Sequence, residues 1–360
     1  MTPNPRTPES ILIVRMSAFG DIVCALPTLR ALRASFPKAR LGWVVDERFQ
    51  ELIAQDPQID QVFVAPLARW GKMVKKARNL PAVRGEYAQL GQQLREAKYE
   101  VCLDLQGIVK SGLITRMARC GRTLQMAGDH LRKLQWMFPG ERVKEYGLHA
   151  VDRMLPLAAE LGADTSSPRF DFYLPEEARR TAEELFAAHS FATDGPIVAL
   201  NPGAFAVHRM WPAERFAEAA RRLTEEHGAR VVVLGGPREV ELAEEICEKS
   251  GVSPLCTAGK TSYLQLAAVI DRCDVAVSGD TGPMHLAAAV GKPVVALFGP
   301  ANPERTGPYG PQHVVLQKPF PCQPCYAHPT CTDYACMKAL EVEEVVAAVL
   351  KALSPAGGRA

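Results

Sequence analysis

The stretch from Val275 to Pro300, VAVSGDTGPMHLAAAVGKPVVALFGP, constrains the fold more than any other part of the chain. Val275–Ser278 and Val294–Phe298 are short apolar runs typical of buried strands. Gly279–Gly282 is a turn-forming segment, and Pro283 is a favourable first residue for the Ala-rich helix that follows. The stretch therefore predicts a strand–turn–helix–strand unit of a parallel sheet.

The turn of this unit has the composition of an anion site. Backbone N–H groups at a helix N-terminus attract phosphates, and glycines let a ligand approach the main chain closely. Spacing alone is equally compatible with an ordinary capped helix, because short glycine-rich turns are weak motifs. Candidate ligands of a diphosphate in this turn are Asp280, Thr281, Gly282 and His285.

A second unit of the same kind opens the chain. Ile11–Arg15 is an apolar strand, and Asp21 begins a helix that leads to a second strand at Leu41–Val45. No G-x-G-x-x-G motif follows the first strand, which argues against a dinucleotide-binding dehydrogenase. Asp21 has two compatible interpretations, as the N-cap of its helix and as a general base at the carboxyl edge of the sheet.

The length of 360 residues and the position of these units predict two doubly wound α/β domains. We expect an N-terminal domain over residues 1–175, a connector over 176–195, a C-terminal domain over 196–340, and a helix and tail over 341–360. No apolar run approaches the ~20 residues that span a bilayer, and the N-terminus lacks the apolar segment of a signal peptide. The protein is therefore expected in the cytoplasm.

Charge is distributed unevenly along the chain. Residues 1–175 carry 25 Lys and Arg against 18 Asp and Glu, whereas residues 176–360 carry 17 against 22. The segment between Pro66 and Gly85 contains six cations and no acid, with apolar residues interleaved. This pattern suits either an anionic lipid surface or a solvated loop, and no nucleic-acid-binding module accompanies it. The cations of interest are Arg69, Lys72, Lys75 and Lys76.

Two further patterns bear on nucleotide binding. The segment Ala258–Ser262, AGKTS, is similar to the end of a P-loop, but Pro254 stands where that motif requires Gly. We therefore reject a P-loop, although Lys260 and Thr261 precede a helix in the same half as the central turn. Glu239 and Glu241 lie early in another helix, where a carboxylate either binds ribose hydroxyls or only favours the helix N-terminus.

Four of the ten cysteines are clustered with C-x2-C-x5-C-x4-C spacing near the C-terminus. Four thiolates can close a tetrahedral structural zinc site, with His328 as a spare ligand, although the loop is shorter than a usual zinc ribbon. The other six cysteines are scattered and are expected to fill core space. The candidate zinc ligands are Cys322, Cys325, Cys331 and Cys336.

Together these segments resemble the lipopolysaccharide heptosyltransferases of glycosyltransferase family 9. The resemblance covers residues 11–350 and depends on VRMSAFGDIVCALPTLRALR near the start and GDTGPMHLAAAVGKPVVALFGPANPERTGPYG near the end. ARWGKMVKK and GLHAVDRM are most similar to the heptosyltransferase I branch, whereas the cysteine-rich tail is more similar to the heptosyltransferase II and broader branches. The resemblance implies a GT-B architecture, in which two Rossmann-like domains face a cleft.

The resemblance also implies an activity. It is the inverting transfer of L-glycero-D-manno-heptose from ADP-heptose to the Kdo region of the inner core, with no cofactor or catalytic metal. A heptosyltransferase II-type or other GT-B transferase is the alternative. The implied partners are Kdo2-lipid A and an anionic membrane surface, with the protein peripheral to the cytoplasmic face of the inner membrane. The implied residues are the catalytic base Asp21, donor-binding Arg209, Glu239, Glu241, Lys260, Thr261, Asp280, Thr281, Gly282 and His285, and acceptor-binding Arg69, Lys72, Lys75, Lys76, Lys110 and His149.

Overall fold

Two six-stranded parallel sheets organise the chain in the computed structural model, which describes residues 7–75, 79–126, 138, 140–204, 206–325 and 331–354. The chain divides into unit 1, from Met1 to Tyr173, and unit 2, from Leu174 to Ala360. Each unit contains one of the sheets, and helices lie between most successive strands of the described ranges. The prediction of doubly wound parallel sheets is therefore confirmed.

Unit 1 begins with a strand whose sequence, SILIV, is buried at every position. Strands of this kind occur in parallel sheets that are covered by helices on both faces. The sheet order is β3-β2-β1-β4-β5-β6, so that the order reverses between β1 and β4. The strands are β1 (Ser10–Val14), β2 (Arg40–Asp46), β3 (Gln61–Ala65), β4 (Val101–Asp104), β5 (Arg122–Met126) and β6 (Glu141–Val143). The helices are α1 (Phe19–Ser35), α2 (Glu51–Ala54), α3 (Leu67–Met73), α4 (Leu80–Glu96), α5 (Val109–Ala118) and α6 (Ala150–Ala159).

Unit 2 repeats this topology. Its sheet order is β12-β11-β10-β7-β8-β9, which reverses between β7 and β10. The strands are β7 (Ile197–Asn201), β8 (Arg230–Val233), β9 (Leu255–Cys256), β10 (Val275–Gly279), β11 (Val294–Phe298) and β12 (Val314–Gln317). The helices are α7 (Glu176–Ala187), α8 (Ala213–Glu225), α9 (Val240–Ser250), α10 (Tyr263–Asp271), α11 (Gly282–Ala289), α12 (Pro303–Thr306), α13 (Ala335–Lys338) and α14 (Val342–Leu353).

The central stretch folds as its sequence predicts, into β10, α11 and β11. The first and last helices of unit 2, α7 and α14, both contact the rest of the unit. On α7, Arg179 pairs with Asp271 of α10 at 2.8 Å, and α14 contributes Val345 to the buried core around Trp211. Within the described ranges, no helix combines the length and the apolar character needed to cross a membrane.

His313, next to β12, is a half-buried histidine whose ring nitrogens both bond to backbone. Its Nδ1 accepts a hydrogen bond from the Val294 N–H at 3.2 Å, so Nε2 carries the proton and donates it to the Tyr309 carbonyl at 3.1 Å. Burial lowers the pKa of His313 below its ordinary value of 6.5. Protonation breaks the Val294 bond. The free energy of unfolding should therefore be highest above a pH of about 6.5 and fall as the pH drops toward the lowered pKa.

Chemical denaturation of the wild type and of a His313→Gln variant, each at about pH 7.5 and about pH 5.5, tests this expectation. The Gln carboxamide does not titrate near the ordinary His pKa of about 6.5. The loss of stability between the two pH values should therefore be smaller in the variant, by about 0.5–1.5 kcal/mol, the worth of one hydrogen bond. An identical pH dependence in the two proteins would contradict the assignment.

Candidate functional site

The central candidates of each unit, Asp21 in unit 1 and Asp280 and Thr281 in unit 2, follow strands between which the sheet order reverses. Ligands of open α/β sheets bind at this point, outside the carboxyl ends of the strands. In unit 1 the loop after β1 leads to Asp21, and the loop after β4 begins at Leu105. In unit 2 the loop after β7 begins at Pro202, and the turn after β10 contains Asp280 and Thr281. We call these places the unit 1 switch point and the unit 2 switch point.

Asp21 lies in the first turn of α1 but does not cap it, since the N-cap residue is Ala18. One carboxylate oxygen, Oδ2, accepts a hydrogen bond from the Ala18 N–H at 3.0 Å and pairs with Arg15 Nη2 at 2.8 Å. Oδ1 has no partner among the residues that the structure describes, and 45% of the side chain is exposed. The carboxylate is therefore fixed through one oxygen and available to a ligand through the other.

The β4 loop holds the β1 loop in place. Gln106 Oε1 accepts a hydrogen bond from the Met16 N–H at 3.0 Å, and its Nε2 donates to Ser17 Oγ at 3.1 Å. Asp104, fully buried at the end of β4, accepts hydrogen bonds from the N–H groups of Gln106 and Gly107. Burial raises the pKa of the Asp104 carboxyl, although these donors oppose the shift. The carboxylate of Asp104 therefore fixes the loop that carries Gln106.

Most of the predicted acceptor residues follow the carboxyl ends of strands in unit 1. Because the strands are parallel, these ends lie along one edge of the sheet, which is also the edge of Asp21. Arg69, on α3 after β3, pairs with Glu86 at 2.6 Å and Glu47 at 3.4 Å. Lys72, Lys75 and Lys110 are exposed. Lys76 lies outside the described residues.

His149 has a structural role that the sequence did not predict. It is the N-cap residue of α6, where its Nδ1 accepts a hydrogen bond from the Val151 N–H at 3.1 Å. The residue is also buried. The ring therefore satisfies one of the unpaired N–H groups at the start of this helix through Nδ1, and acceptor binding by His149 stays a prediction.

At the unit 2 switch point, one asparagine organises the turn. Asn201, buried at the end of β7, donates from Nδ2 to Ser278 Oγ at 3.0 Å and to Thr281 Oγ1 at 3.2 Å. Thr281 is the N-cap residue of α11, but its side chain makes no capping hydrogen bond. The hydroxyl of Thr281 is thus oriented by the neighbouring strand, at the N-terminus of a helix whose dipole favours an anion.

Arg209 approaches the same turn from a short 3₁₀ segment. Its Nη1 pairs with Asp280 Oδ2 at 2.7 Å. The backbone of this segment passes so close to the end of β10 that a Cβ at Gly279 would lie 3.1 Å from the Arg209 carbonyl oxygen. The structure therefore brings a cation and the predicted diphosphate-binding turn together, with Asp280 as the present partner of the cation.

The structure separates the two candidate ribose carboxylates. Glu239 accepts a hydrogen bond from the Gly236 N–H at 2.9 Å, and a Cβ at Gly203 would lie 2.7 Å from its Cγ. Glu239 therefore lies beside the loop that follows β7, at the switch point. Glu241 is exposed on α9. Lys260 is exposed as well, and its Nζ donates to the Cys256 carbonyl at 2.9 Å.

In the described part of the chain, the clustered cysteines are not arranged as the four-thiolate site that their spacing suggested. Among the residues that the structure describes, no three His, Cys, Asp or Glu side chains are placed to bind a metal ion. The thiols contact different neighbours. Cys331 Sγ donates to Asp333 at 3.0 Å, whereas a Cβ at Gly299 would lie 3.0 Å from Cys336 Sγ. Cys322 is exposed, and the spare ligand His328 lies outside the described residues.

Sequence reasoning missed the residues that orient the candidates. Arg15 and Gln106 fix the Asp21 loop, and Asn201 and Ser278 fix Thr281. A usable signal existed, because Arg15, Asn201 and Ser278 are polar residues at the carboxyl ends of apolar strands. Their partners could not be deduced, since strand order decides which loops meet.

Comparison with known sequences identifies similar proteins. The sequence model of glycosyltransferase family 9 (heptosyltransferase) matches residues 87–334. Lipopolysaccharide heptosyltransferase 1 of Pseudomonas aeruginosa is 30% identical over 325 residues, which cover 89% of this chain and 87% of the relative. Lipopolysaccharide heptosyltransferase 2 of Escherichia coli is 27% identical over 311 residues, which cover 83% and 85%.

A solved structure has the same fold. E. coli heptosyltransferase WaaC with ADP superposes with a TM-score of 0.75 at 24% identity, over 95% of this chain and 99% of that chain. This likeness confirms the predicted GT-B fold class.

Proposed function

The chain belongs to glycosyltransferase family 9 and is a glycosyltransferase, and from this premise we propose that it transfers L-glycero-D-manno-heptose from ADP-heptose to the Kdo region of the lipopolysaccharide inner core. The observation that carries the proposal is the carboxylate of Asp21, fixed through Oδ2 with Oδ1 available, at the unit 1 switch point. Relatives that share most of the chain are named lipopolysaccharide heptosyltransferases, which supports the choice of sugar and acceptor.

We assign the donor to unit 2. Thr281, Gly282 and the N-terminus of α11 offer a hydroxyl and a positive helix end to the diphosphate. Arg209 adds a planar cation, which matches phosphate oxygens in a bidentate manner. Glu239 lies beside the same loop and is the better placed carboxylate for the ribose hydroxyls. His285, in the first turn of α11, completes the set on the basis of its position.

We propose that the transfer inverts the anomeric centre. The acceptor hydroxyl attacks the anomeric carbon from the face opposite ADP, while Asp21 Oδ1 takes the hydroxyl proton. The bond between that carbon and the diphosphate oxygen breaks, and its electron pair leaves with ADP. Arg209 and the α11 N-terminus stabilise the negative charge that develops on the diphosphate, so the proposal requires no divalent metal.

We assign the acceptor to the carboxyl edge of the unit 1 sheet. Kdo carboxylates and lipid A phosphates are anionic, and the edge carries Arg69, Lys72, Lys75 and Lys110. Val74 lies among these cations and is 46% exposed, as expected for a residue that meets an apolar layer. We therefore propose that this edge binds to the anionic cytoplasmic face of the inner membrane.

A product assay tests the function. Purified protein incubated with ADP-heptose and Kdo2-lipid A should release ADP and add one heptose to the acceptor, as seen by mass spectrometry. UDP-sugars in place of ADP-heptose serve as the donor control and should give no product. Transfer from a UDP-sugar, or no product with ADP-heptose and any lipopolysaccharide acceptor, would overturn the proposal.

A heptosyltransferase II-type activity is the second candidate. Identities of 30% and 27% to relatives of the two types do not separate them. The same assay with an acceptor that already carries the first heptose decides. Extension of that acceptor, without extension of Kdo2-lipid A, would establish the second activity.

The two candidate ribose carboxylates give a matched pair of variants. Because Glu239 lies against the switch-point loop and Glu241 is exposed on α9, Glu239→Gln should weaken ADP binding and raise the KM for ADP-heptose about tenfold. This factor corresponds to about 1.4 kcal/mol, the size of one charge-assisted hydrogen bond. Glu241→Gln should bind ADP as the wild type does. Titration calorimetry measures the ADP affinity of both variants. A loss of affinity confined to Glu241→Gln would reverse the assignment.

A further inference from the structure

We propose that Arg15 is a positioning residue, which clamps Oδ2 of Asp21 so that Oδ1 faces the reacting acceptor hydroxyl. The inference rests on the proposed function and deepens it, because the proposed mechanism gives Arg15 no part in the transfer step. It concerns the orientation of the base, and the donor and acceptor contacts assigned above stay as they are.

Arg15 is buried like a core residue, although its side chain is charged. It directly follows β1 and is 8% exposed, yet its guanidinium is directed toward two polar partners. Nη1 donates to the carbonyl oxygen of Leu105, which directly follows β4, and Nη2 pairs with Asp21 Oδ2 at 2.8 Å. A buried charge is costly unless it is paired and hydrogen-bonded, so Asp21 and Leu105 together determine where this side chain lies.

The backbone of Arg15 is fixed from the other side. Its carbonyl oxygen accepts a hydrogen bond from the indole Nε1 of the buried Trp43 at 2.9 Å. The next residue, Met16, donates its N–H to Gln106 and accepts from the Asp46 N–H at 3.1 Å. The backbone on either side of the Arg15–Met16 peptide is therefore bonded to β2 and to the loop after β4, and the guanidinium is bonded to Leu105 of that loop. These bonds fix the position from which Nη2 holds the carboxylate of Asp21.

The asymmetry of the Asp21 contacts shows what this arrangement does. Both described contacts of the carboxylate, from Arg15 Nη2 and from the Ala18 N–H, fall on Oδ2. A carboxylate on a flexible side chain rotates about its last bond, and two donors on one oxygen stop that rotation. Oδ1 then has one orientation at the edge of the sheet, which is what a general base needs before the proton leaves the hydroxyl.

Arginine suits this position better than lysine. Its planar fork reaches the Leu105 carbonyl and Asp21 with two different nitrogens at a fixed angle, whereas a lysine ammonium is a single point charge on a flexible chain. We therefore expect Arg15→Lys to keep part of the positioning and Arg15→Met, which keeps only the apolar length, to lose it.

Steady-state kinetics with ADP-heptose and Kdo2-lipid A test the inference. Arg15→Met should lower kcat about 10²-fold with an unchanged KM for ADP-heptose, because misplacement of a catalytic group by about 1 Å has this effect. Arg15→Lys should recover part of the lost kcat, because the charge is kept and the fork is lost. In an Asp21→Ala background, Arg15→Met should cause no further loss, since there is no carboxylate left to position.

Arg30→Met is the matched control. Arg30 lies on α1, is 5% exposed, pairs with Asp56 and donates to the Phe170 carbonyl, so its removal also breaks a buried ion pair in unit 1. Removal of Arg30 should lower the denaturation midpoint, but the folded variant should keep the wild-type kcat. The comparison therefore separates a positioning role from general destabilisation. Far-UV circular dichroism and ADP titration report whether each variant is folded.

The outcomes distinguish the inference from the proposed function. If the wild type transfers heptose and Arg15→Met has the wild-type kcat, or if Arg30→Met loses as much, the positioning role is wrong and the function stands. If Arg15→Met does not fold, Arg15→Lys decides, and a kcat equal to that of the wild type refutes the need for the fork. If the wild type itself transfers nothing from ADP-heptose, the proposed function fails, and the inference fails with it.

Discussion

An Asp21→Asn enzyme is expected to lose about 10²–10⁴ in kcat for heptose transfer, the usual contribution of a general base, while ADP binding stays as in the wild type. The carboxamide oxygen of Asn can still accept the Ala18 N–H, so the first turn of α1 should persist. It cannot accept the proton of the acceptor hydroxyl at neutral pH. Product formation by mass spectrometry and ADP titration by calorimetry measure the two properties separately.

Asp60→Asn provides the matched control for this variant. Asp60 has the same side-chain exposure as Asp21, 45%, and likewise pairs with an arginine, Arg33, at 2.7 Å. It precedes β3, at the amino edge of the unit 1 sheet, where no ligand is expected. Asp60→Asn should therefore keep the wild-type kcat. Full turnover by Asp21→Asn, or an equal loss in both variants, would remove Asp21 from the mechanism.

The second large effect concerns the leaving group. Arg209→Ala should lower kcat/KM for ADP-heptose about 10²–10³-fold, as the loss of one preorganised electrostatic contact to a developing charge usually does. The side chain now pairs with Asp280, and the diphosphate would compete for the same guanidinium. Arg209→Lys should recover part of the loss, because a point charge replaces a bidentate fork. ADP affinity, measured without acceptor, should be lower in Arg209→Lys than in the wild type and lowest in Arg209→Ala.

Arg215→Ala separates this role from the general loss of a cation in unit 2. Arg215, on α8, donates to the Leu340 carbonyl and pairs with Glu341 at 3.3 Å, so it stabilises the packing of α14 and lies outside the switch point. We expect a lower denaturation midpoint with normal ADP affinity. If Arg209→Ala binds ADP as tightly as Arg215→Ala does, the diphosphate has another ligand.

The fold class was largely predictable because local patterns repeat along the chain. Apolar strands such as SILIV and VAVSG, each followed by a turn and a helix, indicate parallel sheets wherever they occur. The turn composition around Thr281 gave the bounds of β10, α11 and β11 within about two residues, the usual uncertainty of helix ends. Spacing also suggested a thiolate metal site, which the described structure does not form.

The site was predictable only in part. Asp21, Asp280 and Thr281 are recognisable because they stand in turns after strands, but a pattern does not show what a side chain contacts. His149 was predicted to bind the acceptor, and the pattern did not show that its Nδ1 also caps α6. The resemblance made Glu241 the better match for the ribose and Glu239 the alternative, whereas the structure shows Glu239 beside Gly203 of the switch-point loop.

The sequence by itself determined the strands, the turns between them and the helices that follow, because these depend on neighbouring residues and their periodicity. Only the tertiary structure decided that the β1 loop meets the β4 loop and that the β7 loop meets the β10 turn. Strand order brings together residues that lie 77 to 90 positions apart, such as Asn201 with Ser278 and Met16 with Gln106. Contacts at such separation depend on which strands pair. They orient Thr281 directly, and they fix Arg15 and the loop that leads to Asp21.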